Sequence, residues 1–228
     1  MILHEKYRVR PSTGSLIISG IIIYLIVSQC LYADTRVRVA CVGNSITYGA
    51  AIDDRSLNSY PAVLERLLGE DYDVHNFGVS GATLLRTGAL PYRDTAEFSE
   101  ATRFKADIVI IKLGTNDTRM GNWTGADEFE RDFKEMIEHF AGLPGKPDIF
   151  VCHPVPIHGI WRIANDRRLR KEIIPAITRA AREKNIQIID LYTPFKDLSG
   201  HFPDGVHPNA DGARIIAETV YKAIRSSE

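Results

Sequence analysis

A single hydroxyl, Ser45, stands where the apolar run 37–42 ends in Gly43-Asn44-Ser45-Ile-Thr-Tyr-Gly49. A strand that stops at a glycine-flanked turn is how an α/β protein presents a small polar side chain to a ligand. Near the other end of the chain, Asp204-Gly-Val-His207 sets a carboxylate and an imidazole within one short loop. At that spacing the carboxylate can reach one ring nitrogen while the other faces outward. Hydroxyl, imidazole and carboxylate are the parts of acyl transfer: a nucleophile, a base that takes its proton, and an anion that orients the base. Each part alone has a plainer reading. Serine after Gly-Asn serves turns and caps, and Asp204 with His207 could cap the last helix.

A hydroxyl so far in sequence from the carboxylate and the imidazole needs a scaffold that brings them together. From residue 34 onward, strand-like and helix-like segments alternate. Runs 37–42, 72–77, 107–113, 148–152 and 186–190 read as strands, and 107–113 is a nearly unbroken apolar run of β-branched residues, as expected of a strand covered on both faces. Helices are expected over 60–68, with Ser59 as cap and Pro61 in the first turn, and over 126–141. Two more are expected over 166–184, kinked or broken at Pro175, and over 210–224. The alternation predicts a three-layer α/β/α sandwich around a five-stranded parallel sheet, flavodoxin-like in class. Ligands of such sheets lie beyond the carboxyl ends of the strands. Gly-Asn-Ser, Gly78-Val-Ser-Gly81, Gly114-Thr-Asn-Asp117 and Asp204…His207 all follow strands there.

Composition narrows the function. The chain has 228 residues, 44% apolar and 25% charged, with a net charge of −1. That suits one globular domain and excludes the basic face of a nucleic-acid binder. Residues 1–33 stand apart: Lys6, Arg8 and Arg10 precede the apolar run 16–27, which is shorter than the ~20 residues of a membrane span. They read as an export signal cleaved near Ala33, making the protein secreted or periplasmic; a retained membrane anchor is the alternative. Cys41 and Cys152 sit in strand-like runs and read as free, buried thiols.

The four clusters resemble, in content and order, the blocks of the SGNH hydrolases, the superfamily of GDSL-type esterases and lipases. The resemblance spans residues 36–225. Gly43-Asn44-Ser45 corresponds to the serine block, Asn76-Phe-Gly-Val-Ser-Gly81 to the glycine block, Gly114-Thr-Asn116-Asp117 to the asparagine block, and Asp204-Gly-Val-His207-Pro208 to the last. It implies that Ser45 attacks an ester carbonyl, His207 removes its proton and Asp204 holds the imidazole tautomer. It implies further that the oxyanion is met by the N–H groups of Ser45 and Gly81 and the amide of Asn116. One departure is Asn44, where the family usually has aspartate; the local hydrogen bonding of the turn must differ there.

Within the superfamily the blocks are most similar to those of bacterial carbohydrate acetylesterases, which implies a secreted serine esterase acting on glycan or small-molecule esters without cofactor or metal. A membrane partner is expected only if the leader is retained. A lipase, lysophospholipase or thioesterase is the enzymatic alternative, and a phosphate- or glycan-binding flavodoxin-like module the non-enzymatic one. The loop 43–49 lacks both the P-loop ending and the dinucleotide glycine pattern. The loops expected to frame a cleft carry Arg86, Arg119, Trp123, Trp161 and Arg162, suited to a polar ring, although packing explains the tryptophans equally well. Asp117 could pin its loop, and His153 and His158 read as ordinary loop residues.

Overall fold

The computed structural model describes residues 35–159 and 163–227. The expected leader over residues 1–33 lies outside them, as do Trp161 and Arg162. Strands β1 (Val37–Gly43), β2 (Tyr72–Gly78), β3 (Ile108–Lys112), β4 (Asp148–His153) and β5 (Gln187–Asp190) form one all-parallel sheet in the order β2-β1-β3-β4-β5. This is the doubly wound, flavodoxin-like order, whose direction reverses between β1 and β3. Register places Gly43 beside Gly78 on one side and Lys112 on the other, so the ends of three strands meet at that reversal.

The period of a strand divides the core in two. Ala40, Val42, Val109 and Ile111 face one layer of helices. That layer is α4 (Ala96–Arg103), α5 (Ala126–Ala141) and α7 (Ile174–Glu183), which contribute Phe98, Phe129, Phe133, Met136, Phe140, Ile177 and Ala180. Val39, Cys41, Ile108 and Ile110 face the other layer, α3 (Tyr60–Leu68) and α8 (Ala210–Arg225), with Leu64, Ile216 and Val220. Cys41 and Cys152 are free and buried.

The expected strands differ from the observed ones by a residue at most at each end, and α3 and α5 coincide with the expected helices. Two expectations are corrected. The helix expected over 166–184 with a kink or break at Pro175 is α6 (Ile163–Arg168), a wider π turn over Leu169–Ile173 that puts the break ahead of the proline, and α7. Pro175 lacks the N–H that a continuous α ladder would use, and the turn ahead of it widens, with Ile174 N–H bonding to Leu169 O. Ser59 precedes α3 with extended backbone but makes no side-chain cap bond. Three helices were not legible in the sequence: α1 (Ser45–Tyr48), α2 (Arg55–Asn58) and α4. The first two are a single turn each, and α4 buries only Ala101 fully, too sparse a stripe to read.

The α1 turn lies directly against the end of β2. A Cβ on Gly78 would stand 2.2 Å from Tyr48 N and 2.7 Å from its Cα, so backbone packs on backbone. Gly78→Ala is therefore expected to cost about 1–3 kcal/mol or more, as overpacking does, read as a lower midpoint of urea unfolding. A variant as stable as the wild type would show that the two segments can separate freely.

Candidate active site

Ser45 opens α1 directly after the Gly43 end of β1. Asn44 caps the turn, its Oδ1 accepting from Ile46 N–H at 3.1 Å. The asparagine thus keeps the acceptor that an aspartate would supply. Its Nδ2 is the difference: it is buried with no partner among the described residues. From β2, Asn76 holds the same turn, donating to Thr47 O at 2.8 Å while its Oδ1 accepts from Gly78 N–H at 3.0 Å.

Across the site, Ser45 Oγ lies 2.9 Å from His207 Nε2, and His207 Nδ1 lies 2.6 Å from Asp204 Oδ2. The other carboxylate oxygen, Oδ1, accepts from the N–H groups of Val206 and His207, both at 2.8 Å. Partial burial raises the Asp204 pKa, but these donors and the imidazole outweigh it and bring it down to about 2. Asp204 is therefore held as an anion against Nδ1 of the imidazole, whose Nε2 is turned to the serine hydroxyl. The loop that carries the pair is held from outside. His158 N–H donates to Gly205 O at 2.8 Å, and the His158 ring leans on Phe202 with centroids 4.7 Å apart.

Unused N–H groups gather after three adjacent strands, β1, β2 and β3. Among the described residues the N–H groups of Ser45 and Gly81 have no acceptor, whereas that of Gly78 is taken by Asn76. Gly81 has φ of +87°, a conformation glycine reaches without strain. Asn116 opens the 3₁₀ turn after β3 and is 3% exposed; its Nδ2 donates to Ala82 O at 2.9 Å, leaving the second amide hydrogen over.

A set of side-chain bonds stitches the segment after Gly81 to the turn after β3. Asp117 accepts from Leu85 N–H at 2.8 Å and Leu84 N–H at 3.1 Å, so it pins the loop. Asn122 accepts from Ala89 N–H and donates to Asn116 O, both at 2.9 Å. Asp132, on α5, accepts from Arg86 N–H at 3.0 Å. Sequence reading missed Asn122 and Asp132, because their partners are backbone groups 33 and 46 residues away. The one available signal was Asp132 itself, a carboxylate inside the apolar stripe of α5.

Other candidates are placed elsewhere. Trp123 packs on Phe129 and donates from Nε1 to Glu172 at 3.1 Å, which is the packing role. Arg86 pairs with Glu135 at 2.8 Å. His153 lies 3.0 Å from Thr178 Oγ1 through Nε2 and 3.6 Å from Asp190 through Nδ1, and burial lowers its pKa. No His, Cys, Asp and Glu cluster among the described residues is arranged to hold a metal ion.

A five-stranded, flavodoxin-like doubly wound sheet carries a serine, an imidazole and a carboxylate in hydrogen-bonded series at its carboxyl edge, which is the arrangement of a class of hydrolases. The sequence model of the GDSL-like Lipase/Acylhydrolase family matches residues 41–215, and the chain belongs to that family. An acetylxylan esterase of Xylanibacter ruminicola is 40% identical over 211 residues, covering 84% of this chain and 44% of that protein. The chain thus spans less than half the length of this relative. Among solved structures, an aryl esterase of M. smegmatis superposes with a TM-score of 0.67 at 20% identity, over 83% of this chain and 98% of that one. A carbohydrate acetylesterase family member from Sinorhizobium meliloti gives 0.67 at 19%, over 83% and 97%. Both share the fold.

The stitches carry an electrostatic cost. Full burial pushes the Asp117 pKa up to about 6 against the pull of the Leu85 and Leu84 N–H groups. An unfolded aspartate titrates near 3.9. Between roughly pH 4 and 6 the folded chain therefore binds this proton more tightly than the unfolded one, and the stability contributed by the site falls as pH rises, levelling above pH 6. The unfolding free energy of the wild type minus that of Asp117→Asn should decline across that window; a flat difference would remove Asp117 as its source.

Proposed function

We propose that the chain is an exported serine esterase that removes short acyl groups, acetyl foremost, from carbohydrate esters. The observation that carries the reading is the unbroken series from Ser45 Oγ through His207 to Asp204, at 2.9 and 2.6 Å. The 40% identical acetylxylan esterase supports the substrate class. Export rests on the basic and apolar pattern of residues 1–33; no helix among the described residues is long and apolar enough to cross a membrane.

In this reading Ser45 Oγ attacks the ester carbonyl carbon while its proton passes to His207 Nε2. The carbonyl oxygen becomes an anion facing the N–H groups of Ser45 and Gly81 and the spare hydrogen of Asn116. Collapse breaks the bond to the sugar oxygen, which leaves with the proton from His207. Water then attacks the acyl-serine, again losing its proton to His207; collapse breaks the acyl–Oγ bond, Ser45 takes the proton back from His207, and acetate departs. Asp204 stays ionised and stabilises the imidazolium formed in both halves. Gly81 is preferred to Gly78 as the donor because the Gly78 N–H is already bonded to Asn76.

Acetate release from acetylated xylan, monitored directly, tests the proposal. Ser45→Ala should fold and lose the activity. Asn116→Ala should lower kcat by about 10²–10³, with KM changed far less, as loss of one oxyanion donor does. A Ser45→Ala protein with wild-type turnover would refute the serine mechanism. An Asn116→Ala change confined to KM would move that residue out of the oxyanion hole.

A further inference from the structure

Of the three oxyanion donors in the reading above, two are backbone N–H groups beside the sheet, where Val79 N–H bonds to Gly43 O at 3.0 Å. The third is a side chain. The Asn116 amide is aimed by a 3₁₀ turn of three residues, Asn116–Thr118. So short a turn has too few bonds of its own to fix a direction. Whatever braces it decides where the spare amide hydrogen points.

The first carbonyl of the turn, Asn116 O, accepts from Arg119 N–H at 3.2 Å and from Asn122 Nδ2 at 2.9 Å. The last, Thr118 O, belongs to a residue only 1% exposed and is met from 50 residues away, where Arg168 Nη1 donates to it. Arg168 is the last residue of α6, and its guanidinium is itself held. Its Cζ lies 5.7 Å from the centroid of the Trp123 ring, and its Nε lies 3.9 Å from Glu172 Oε1. Glu172 Oε2 in turn accepts from Trp123 Nε1 at 3.1 Å. Trp123 belongs to the loop that leaves the 3₁₀ turn, its N–H bonded to Arg119 O at 3.1 Å. Arginine, carboxylate and indole thus close a bracket between the Asn116 turn and the wide turn Leu169–Ile173. Such π turns recur at functional sites, and this one carries Glu172.

Resting on the esterase reading, we propose that Arg168 is a positioning residue of the oxyanion hole, fixing through Thr118 O the turn that aims Asn116. A guanidinium suits the task. It stays charged throughout the working range and presents its N–H groups in a rigid fork, so one can hold the carbonyl while another faces Glu172. Its effect falls on the transition state, because the amide it aims is needed when charge develops on the carbonyl oxygen. Displacing such a group by about 1 Å can cost up to ~10²-fold in rate.

The test measures kcat and KM of the full chain on p-nitrophenyl acetate for Arg168→Met and Arg168→Gln, neither of which can reach Thr118 O with a guanidinium. Each substitution is made in the wild type and again in Asn116→Ala. In the wild type, kcat should fall by about tenfold with KM within twofold. In Asn116→Ala the same substitution should change kcat by less than twofold, since the amide it would misaim is gone. A fall of threefold or more that depends on Asn116, in either folded variant, supports the assignment. A smaller fall, a change confined to KM, or an equal fall without Asn116 overturns it and leaves the esterase reading in place. That reading fails separately, if Ser45→Ala keeps wild-type turnover.

Discussion

The position of Ser45 depends on one close contact, that of the α1 backbone with the end of β2. Gly78 leaves no volume between them, and Asn76 bonds across the same gap to Thr47 O. A hydroxyl on a free loop would sample many positions, and catalysis tolerates few. Here the turn that carries Ser45 rests on a sheet whose own register is set by ladders on both sides of β1. Rigidity therefore comes from the sheet and passes to the hydroxyl through backbone contact.

The polar groups around the site follow the rule that buried donors and acceptors find partners. Asn116, Asp117, Asn122 and Asp132 direct their side chains at backbone groups of residues 82–89. Regular structure cannot satisfy those backbone groups, because residues 82–89 belong to neither helix nor strand. Asp117 meets two N–H groups at the cost of a raised pKa, since desolvation outweighs both bonds. Lys112, buried at the end of β3 with no partner among the described residues, has its pKa lowered to about 8 by burial. Ionisable groups held against their solution preference gather at this edge of the sheet, where a site exchanges stability for geometry.

Asp204 shows the opposite balance. Its carboxylate lies at a surface turn, and three donors from its own loop lower its pKa. Asp117 and Asp204 thus differ in role because of surroundings alone: one is a buried strut, the other a lasting anion beside an imidazole. His158 adds an external brace, since its N–H takes the carbonyl of Gly205 inside the Asp204–His207 turn.

The alternation of apolar runs sufficed to derive the sheet, its five strands and the helices α3, α5 and α8, because burial leaves a periodic mark in sequence. Asp204 and His207 were readable as a pair for a local reason, since three residues can share one loop. Their partnership with Ser45 was not readable from spacing, as 162 residues separate the two sides; the four blocks in order pointed to it, and folding decides it through one 2.9 Å bond. Short helices and the π turn before Pro175 stayed hidden because they bury too little to pattern the chain. The stitching bonds of Asn122 and Asp132 were hidden for a different reason. They join side chains to backbone atoms of distant loops, and only the packed tertiary structure brings such atoms within reach.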